Sequence, residues 1–145
     1  MESIHVKRLR QGAQLPTYGS AEAAGADLYA CLEEPVTIAP GETKFIPTGI
    51  SLEVPRQCAG LVYARSGMAC KRGLAPANKV GVIDSDYRGE IMVVLYNHGR
   101  EAQTIFHGDR IAQLVITPVL QCPYEDTDAL SVTDRNRGGF GSTGK

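Results

Sequence analysis

The sequence predicts an all-β protein, a sandwich or barrel with one short helix and a flexible Gly-rich C-terminal arm. Three observations predict it. Eight or more short runs with strand propensity are separated by Gly/Pro turns. One stretch, Arg65–Gly73, has the composition and bounding signals of a short helix. From about Tyr124 the chain has almost nothing to bury. A β domain over residues 1–124 and an arm over 125–145 follow from the change in character.

The bulk numbers fit that outline. A chain of 145 residues with 43% apolar and 21% charged residues makes one domain with a full core. Fifteen basic against sixteen acidic residues give a net charge of −1, so neither a nucleic-acid duplex nor a membrane surface is expected as the main partner. Met1–His5 lacks the basic start and apolar run of a signal peptide, and no stretch approaches the roughly 18 apolar residues of a spanning helix. Cys31, Cys58, Cys70 and Cys122 form no C-x-x-C pair, so zinc and disulfides are not expected, and the thiols read as idle in a reducing cytosol.

In chain order, Ile4–Leu9 alternates as a first strand, Leu15–Ser20 is loop, and Ala23–Ala30 is a small-residue strand or bend. Val36–Ile38 is a strand stopped by the turn Ala39–Glu42. Thr43–Val54 sets Ile50, Leu52 and Val54 against Ser51 and Glu53, the pattern of a half-buried strand whose first part is an edge or bulge at Pro47 and Gly49. Gly60–Ala64 is another strand. In the helix that follows, Ser66 reads as N-cap and Gly73 as C-terminal stop. Gln103–Phe106 and Ile111–Ile116 complete the set.

Gly81–Asn97, GVIDSDYRGEIMVVLYN, has strand propensity on both sides of a polar, Gly-ended connection and reads as a β-hairpin. Asp84 at its mouth either projects a carboxylate from a rigid frame or bonds nearby amides in an Asx-turn. Ser66 with Arg65 offers either an anion site or a plain cap. The arm, with Arg135, Arg137, Phe140 and a Gly-Ser-Thr-Gly run, is either a disordered tail or a phosphate and base clamp. It is not a Walker loop, because the spacing and the strand–helix context are absent. Asp27 and Asp84 are the carboxylates in structured polar settings, too few for a two-metal cluster. His5, His98 and His107 have no partner motif and read as non-catalytic.

Five stretches in one order resemble the trimeric dUTPase (deoxyuridine triphosphate pyrophosphatase) family. They are Ala24–Leu28, Ala64–Ala69, Gly81–Gly89, Gly108–Leu114 and Arg135–Gly144, and they span nearly the whole chain. The resemblance implies a jelly-roll-like fold and a cytoplasmic homotrimer with shared active sites, or a nuclear one in a eukaryotic or viral setting, in which the arm over 125–145 closes over an active site of a neighbouring subunit. It implies hydrolysis of dUTP to dUMP and pyrophosphate, with Mg²⁺ carried on the triphosphate and through water rather than by direct protein ligands.

By the same resemblance, Asp84 would orient and deprotonate the attacking water, while Arg65, Ser66, Gly67 and Gln113 would hold phosphates. Asp27 would support the site through an Arg or a metal-bound water. Asn78, Gly81 and the backbone of Val82, Ile83 and Asp84 would read uracil, Tyr87 would lie against the deoxyribose, and Met92 would line the pocket. In the arm, Phe140 would stack on the base with Arg135, Gly141, Ser142 and Thr143 on the phosphates. The family arm usually reads R-G-x-G-G-F-G, whereas here Asn136 replaces the first Gly and Arg137 fills the variable position. Arg135 has the right distance to Phe140 for the γ-phosphate, and Arg137 is a second candidate for that role. Three rivals stand beside this reading, one of them a catalytically idle jelly-roll binding protein, which would leave the five stretches unexplained. A dCTP deaminase-like enzyme would need a catalytic Glu near Val94, which is apolar. A dUTP-binding regulatory protein would use the arm to switch a partner contact.

Overall fold

The computed structural model describes residues 3–140. Among the described residues the elements are β1 (Val6–Arg8), β2 (Thr17–Tyr18), β3 (Ala26–Tyr29), β4 (Val36–Ile38), β5 (Thr43–Pro47), β6 (Ile50–Leu52), β7 (Cys58–Tyr63), α1 (Ser66–Arg72), β8 (Leu74–Pro76), β9 (Gly81–Ile83), β10 (Met92–Asn97), β11 (Gln103–Ile105) and β12 (Arg110–Pro118). The largest sheet runs β2-β3-β12-β7-β9. The long strand β12 is its spine, antiparallel to β3 on one side and β7 on the other. A three-stranded sheet runs β5-β10-β8, and two-stranded ladders join β1 to β6 and β4 to β11.

Burial of alternate side chains holds the layers together. Leu28, Val62, Ile83 and Leu114 from the large sheet and Ile46, Leu74, Val93 and Leu95 from the small one belong to a single core. Met68 is the buried residue of α1 and joins the same cluster, so the helix is anchored by one apolar side chain. At the other end of α1, Gly73 takes the left-handed cap conformation with φ 66°.

Four expectations are corrected. The segment Gly81–Asn97 is not a hairpin: β9 pairs with β7, whereas β10 pairs with β5 and β8. Eight residues (84–91) lie between the two strands, too many for a tight turn, and they carry the chain from one sheet to the other. An apolar run as long as β10 buries more as the central strand of a sheet than as half of an exposed ribbon. Secondly, Thr43–Val54 divides into β5 and β6 at Thr48-Gly49, and in β6 Ser51 is buried together with Ile50 and Leu52. That strand is covered on both faces, so its alternation does not mark a wet side.

The third correction concerns α1. Its N-cap is Arg65, with no side-chain cap bond, and Ser66 is the first helical residue, so its hydroxyl is not spent on capping. Finally, the presumed loop around Thr17-Tyr18 supplies the short edge strand β2, which pairs with Asp27 and Ala26. Beyond Pro118 the described chain has no helix or strand, and the hydrogen bonds of residues 125–140 stay within that segment. Leu130, Val132 and Phe140 are exposed there.

Candidate active site

The predicted residues fall into three groups. The first is built on the spine of the large sheet. Gln113 of β12 stands opposite Asp27 of β3 on one side and Tyr63 of β7 on the other. Arg65 lies two residues beyond the end of β7, which brings its guanidinium to Asp27: Arg65 Nε donates to Asp27 Oδ1 at 2.7 Å. Arg110 Nη1 approaches the other carboxylate oxygen at 3.4 Å. The amide of Gln113 is oriented by donation from Nε2 to the Ala64 carbonyl at 2.8 Å. One carboxylate, two guanidinium groups and an amide therefore share one end of the sheet, with Ser66 and Gly67 following Arg65 at the start of α1. Net positive charge remains after Asp27 is paired, which suits a polyanion.

The second group surrounds a cleft of about 200 Å³. Asn78, Gly81, Val82, Ile83, Asp84, Tyr87 and Met92 line it, together with Glu90 and Val94. β9 is the edge strand of its sheet, so one row of its backbone N–H and C=O groups is free of the ladder and available to a ligand. Asp84 follows the last residue of β9 and is exposed. Among the described residues its carboxylate makes no hydrogen bond, and only its backbone carbonyl is engaged, by Tyr87 N–H at 3.1 Å. The Asx-turn alternative for this residue is therefore not what the fold adopts. Tyr87 folds back over its own segment, its hydroxyl donating to the Glu90 carbonyl at 3.0 Å.

The third group is the arm. Arg135 Nε donates to the Gly138 carbonyl at 2.9 Å, and Asn136 takes φ 46°, the left-handed conformation expected of the residue that replaces Gly. Phe140 is fully exposed. Gly141, Ser142 and Thr143 lie outside the described residues.

One chain does not bring the first two groups together. β7 and β9 are antiparallel, with Gly81 opposite Val62 and Ile83 opposite Gly60. Asp84 thus lies level with the start of β7, while Arg65 lies past its end. Five residues of extended chain separate Gly60 from Arg65, roughly 16 Å at the strand rise.

Sequence reasoning passed over Arg110 and Glu90. Arg110 was visible only as part of the Gly108–Leu114 stretch, and its partner Asp27 is 83 residues away. Glu90 carried a signal, a lone charge opening an otherwise apolar run. Of the histidines, His5 Nδ1 pairs with Glu53, and His107 Nδ1 accepts from Leu32 N–H.

A profile of the dUTPase family matches residues 11–144. The chain belongs to the dUTPase family. It is 49% identical over 142 residues to the deoxyuridine 5'-triphosphate nucleotidohydrolase of Syntrophotalea carbinolica, covering 98% of this chain and 97% of that protein. The fold matches a mutant dUTPase of Staphylococcus bacteriophage 80alpha with dUpNHpp, with TM-score 0.91 and 26% identity over all of both chains. A mutant dUTPase from phage phi11 of S. aureus, described with a structural Mg(II) ion, matches with TM-score 0.82 and 23% identity over 90% of this chain and 100% of that one. Members of the family have the jelly-roll β fold expected from the sequence. Among the described residues no helix is long and apolar enough to cross a membrane.

Proposed function

We infer that this dUTPase hydrolyses dUTP to dUMP and pyrophosphate, with Asp84 directing water onto the α-phosphorus. The observation that carries the reading is the Asp84 carboxylate, without a hydrogen bond among the described residues, at the end of an edge strand that lines the cleft. An ordinary Asp, with a pKa of about 3.9, is a weak base for water. Most of the acceleration then comes from positioning and from dispersing phosphate charge. Arg65, Ser66, Gly67 and Gln113 supply that dispersal, and Asp27 holds Arg65 in its orientation.

Base choice follows from the edge strand and Asn78. The free backbone groups of Val82–Asp84 offer a donor and an acceptor to uracil's O4 and N3–H edge. Cytosine turns an amine to the same donor and leaves buried groups unpaired. A thymine methyl meets the walls of a small cleft, and Met92 closes one side of it. Tyr87 lies flat on the deoxyribose and excludes a 2′-hydroxyl. From the arm, Phe140 stacks over the base, while Arg135, Gly141, Ser142 and Thr143 engage the phosphates, with Arg137 as a second cation.

Magnesium enters with the substrate. Among the described residues no three His, Cys, Asp or Glu side chains gather as a metal cage, and both oxygens of Asp27 face arginines. Phosphate oxygens and water are hard ligands that complete a Mg²⁺ shell without one. The protein's part is to hold the Mg–dUTP complex by its phosphates.

The separation of Asp84 from Arg65 supports a shared site. A triphosphate whose base occupies the cleft of one chain meets the phosphate group of another, and three copies in a ring complete three sites. Residues 125–145, whose described part forms neither helix nor strand, are the arm that closes over such a site.

Deamination is not favoured. Val94 lines the cleft where a deaminase would need a carboxylate. The test is pyrophosphate release from dUTP, dCTP, dTTP and UTP with Mg²⁺, alongside Asp84→Asn. Turnover confined to dUTP and lost in the variant supports the reading. Tight dUTP binding without turnover in the unaltered chain would leave a binding protein instead.

A further inference from the structure

Glu90 lines the cleft but has no role in the scheme above. Its carboxylate is a junction. Oε1 accepts from the Gly49 N–H at 2.8 Å, and Arg10 Nη2 reaches Oε1 at 2.9 Å and Oε2 at 2.7 Å. Its backbone carbonyl receives the Tyr87 hydroxyl at 3.0 Å. The next residue continues the attachment: Ile91 N–H donates to the Ile50 carbonyl at 2.9 Å, and the Ile91 carbonyl accepts from Thr48 Oγ1 at 2.6 Å and Thr48 N–H at 3.3 Å. The far end of the crossing segment 84–91 is therefore fastened to the Thr48–Ile50 bend, and Tyr87 is fastened to that end.

The socket has little slack. Gly49 has φ 70°, and a Cβ there would lie 2.9 Å from Ala13 Cβ and Cys31 Sγ and 3.0 Å from Arg10 Cγ. The stem of Arg10 thus packs directly on the bend that presents the Gly49 N–H. Glu90 is 20% exposed and Arg10 46%, so the pair is partly screened from water and its two-oxygen geometry is defined. The other end of Tyr87 is equally confined. Its ring covers Gly89 so closely that a side chain at Gly89 would overlap the phenol.

We infer that the Arg10–Glu90 ion pair is a positioning unit for Tyr87, and that through it the protein discriminates deoxyribose from ribose. Arg10 acts without lining the cleft. The inference rests on the reading of Tyr87 as the wall against the sugar. A wall excludes one hydroxyl only if it cannot retreat by a fraction of an ångström. Tyr87 cannot retreat while its hydroxyl is held by a Glu90 carbonyl that is itself pinned. Releasing the Glu90 side chain removes three of the contacts that hold that carbonyl in place.

The experiment compares kcat and KM for dUTP and UTP in the full-length protein and in R10A, R10K, E90Q, E90A and Y87A. The ratio of kcat/KM for the two nucleotides does not depend on the fraction of folded enzyme, so a purely structural loss leaves it unchanged. R10A and E90A are expected to lower the ratio about tenfold or more, the scale of losing one well-placed contact in a specificity pocket. R10K and E90Q keep part of the junction and fall between. Y87A lowers the ratio at least as far, and adding R10A to Y87A lowers it no further. A ratio unchanged in R10A and E90A but reduced in Y87A overturns the inference and leaves the Tyr87 reading intact. A ratio unchanged in Y87A removes that reading and the inference with it. Should E90A fail to fold, R10A decides, since its side chain is half exposed.

Discussion

Gly25 lies against Gln113 so closely that a Cβ on Gly25 would sit 2.5 Å from Gln113 Oε1 and 3.2 Å from its Cβ. Gln113 cannot simply move aside, because Nε2 is engaged by the Ala64 carbonyl at 2.8 Å. The glycine beside β3 thus keeps space for Gln113 of β12, a side chain proposed to hold phosphate. We predict that Gly25→Ala lowers kcat/KM for dUTP about 10- to 100-fold, the scale of an ångström's misplacement of a binding group. Gln113→Ala should cost as much, and the double variant no more than Gln113→Ala alone. Steady-state kinetics of the three variants check this, and additive losses would show that Gly25 acts elsewhere.

Asp27 stands between two cations, Arg65 Nε at 2.7 Å and Arg110 Nη1 at 3.4 Å. Asp27→Asn removes the charge but keeps an acceptor oxygen. Two effects of opposite sign should follow. The local field becomes more positive, so pyrophosphate inhibits more strongly at low salt. Arg65 loses its orienting partner, so kcat falls about 10-fold or more. Inhibition constants and turnover measured at two ionic strengths separate them. Weaker pyrophosphate binding together with reduced turnover would mean that the site had collapsed.

The sequence is legible where local chemistry decides and silent where a distant partner decides. Gly73 ends α1 as its composition implies, since the left-handed cap is a local requirement. Ser66 looked like the N-cap by type, yet the helix begins one residue earlier, because Met68 must point into the core and sets the phase. The Gly81–Asn97 stretch carries ordinary hairpin signals, but pairing is chosen by the strands on offer. β7 takes β9, while β5 and β8 take β10. The bond between Arg10 and Glu90 spans 80 residues, and no periodicity reports it. The residues proposed to hold phosphates were picked out through the order of five short stretches, not through any single spacing.

Asn97, at the end of β10, is wholly buried and uses every polar atom of its amide. Nδ2 donates to the Ile38 carbonyl at 2.9 Å and the Glu101 carbonyl at 2.8 Å, and Oδ1 accepts from Gly99 N–H at 2.9 Å. Asn97→Ala strands all three backbone groups. We predict a loss of about 3 kcal/mol, mostly from the unpaired groups rather than the lost bonds. In a chain of this length that lowers Tm by about 10 °C. Asn97→Asp keeps the acceptor but buries a charge and loses both donors, so it should be at least as harmful. Thermal unfolding checks both, and a Tm within 2–3 °C of the unaltered protein, the effect of ~1 kcal/mol, would mean that water replaces the amide.

The antiparallel register of β7 and β9 places Asp84 and Arg65 at opposite ends of one strand pair, as the proposed sharing of sites between copies requires. Asp84→Asn and Arg65→Ala should each abolish turnover when prepared separately. If the proposed sites lie between copies, subunits exchanged by co-refolding equal amounts regain activity. A site is whole when its Asp84 comes from an Arg65→Ala chain and its Arg65 from an Asp84→Asn chain, so random mixing in a closed ring makes about a quarter of the sites competent. Turnover near a quarter of the unaltered enzyme, appearing only after subunit exchange, is the expected outcome. If both residues came from the same chain, every site in the mixture would carry one lesion, and activity would stay at the level of the separate variants.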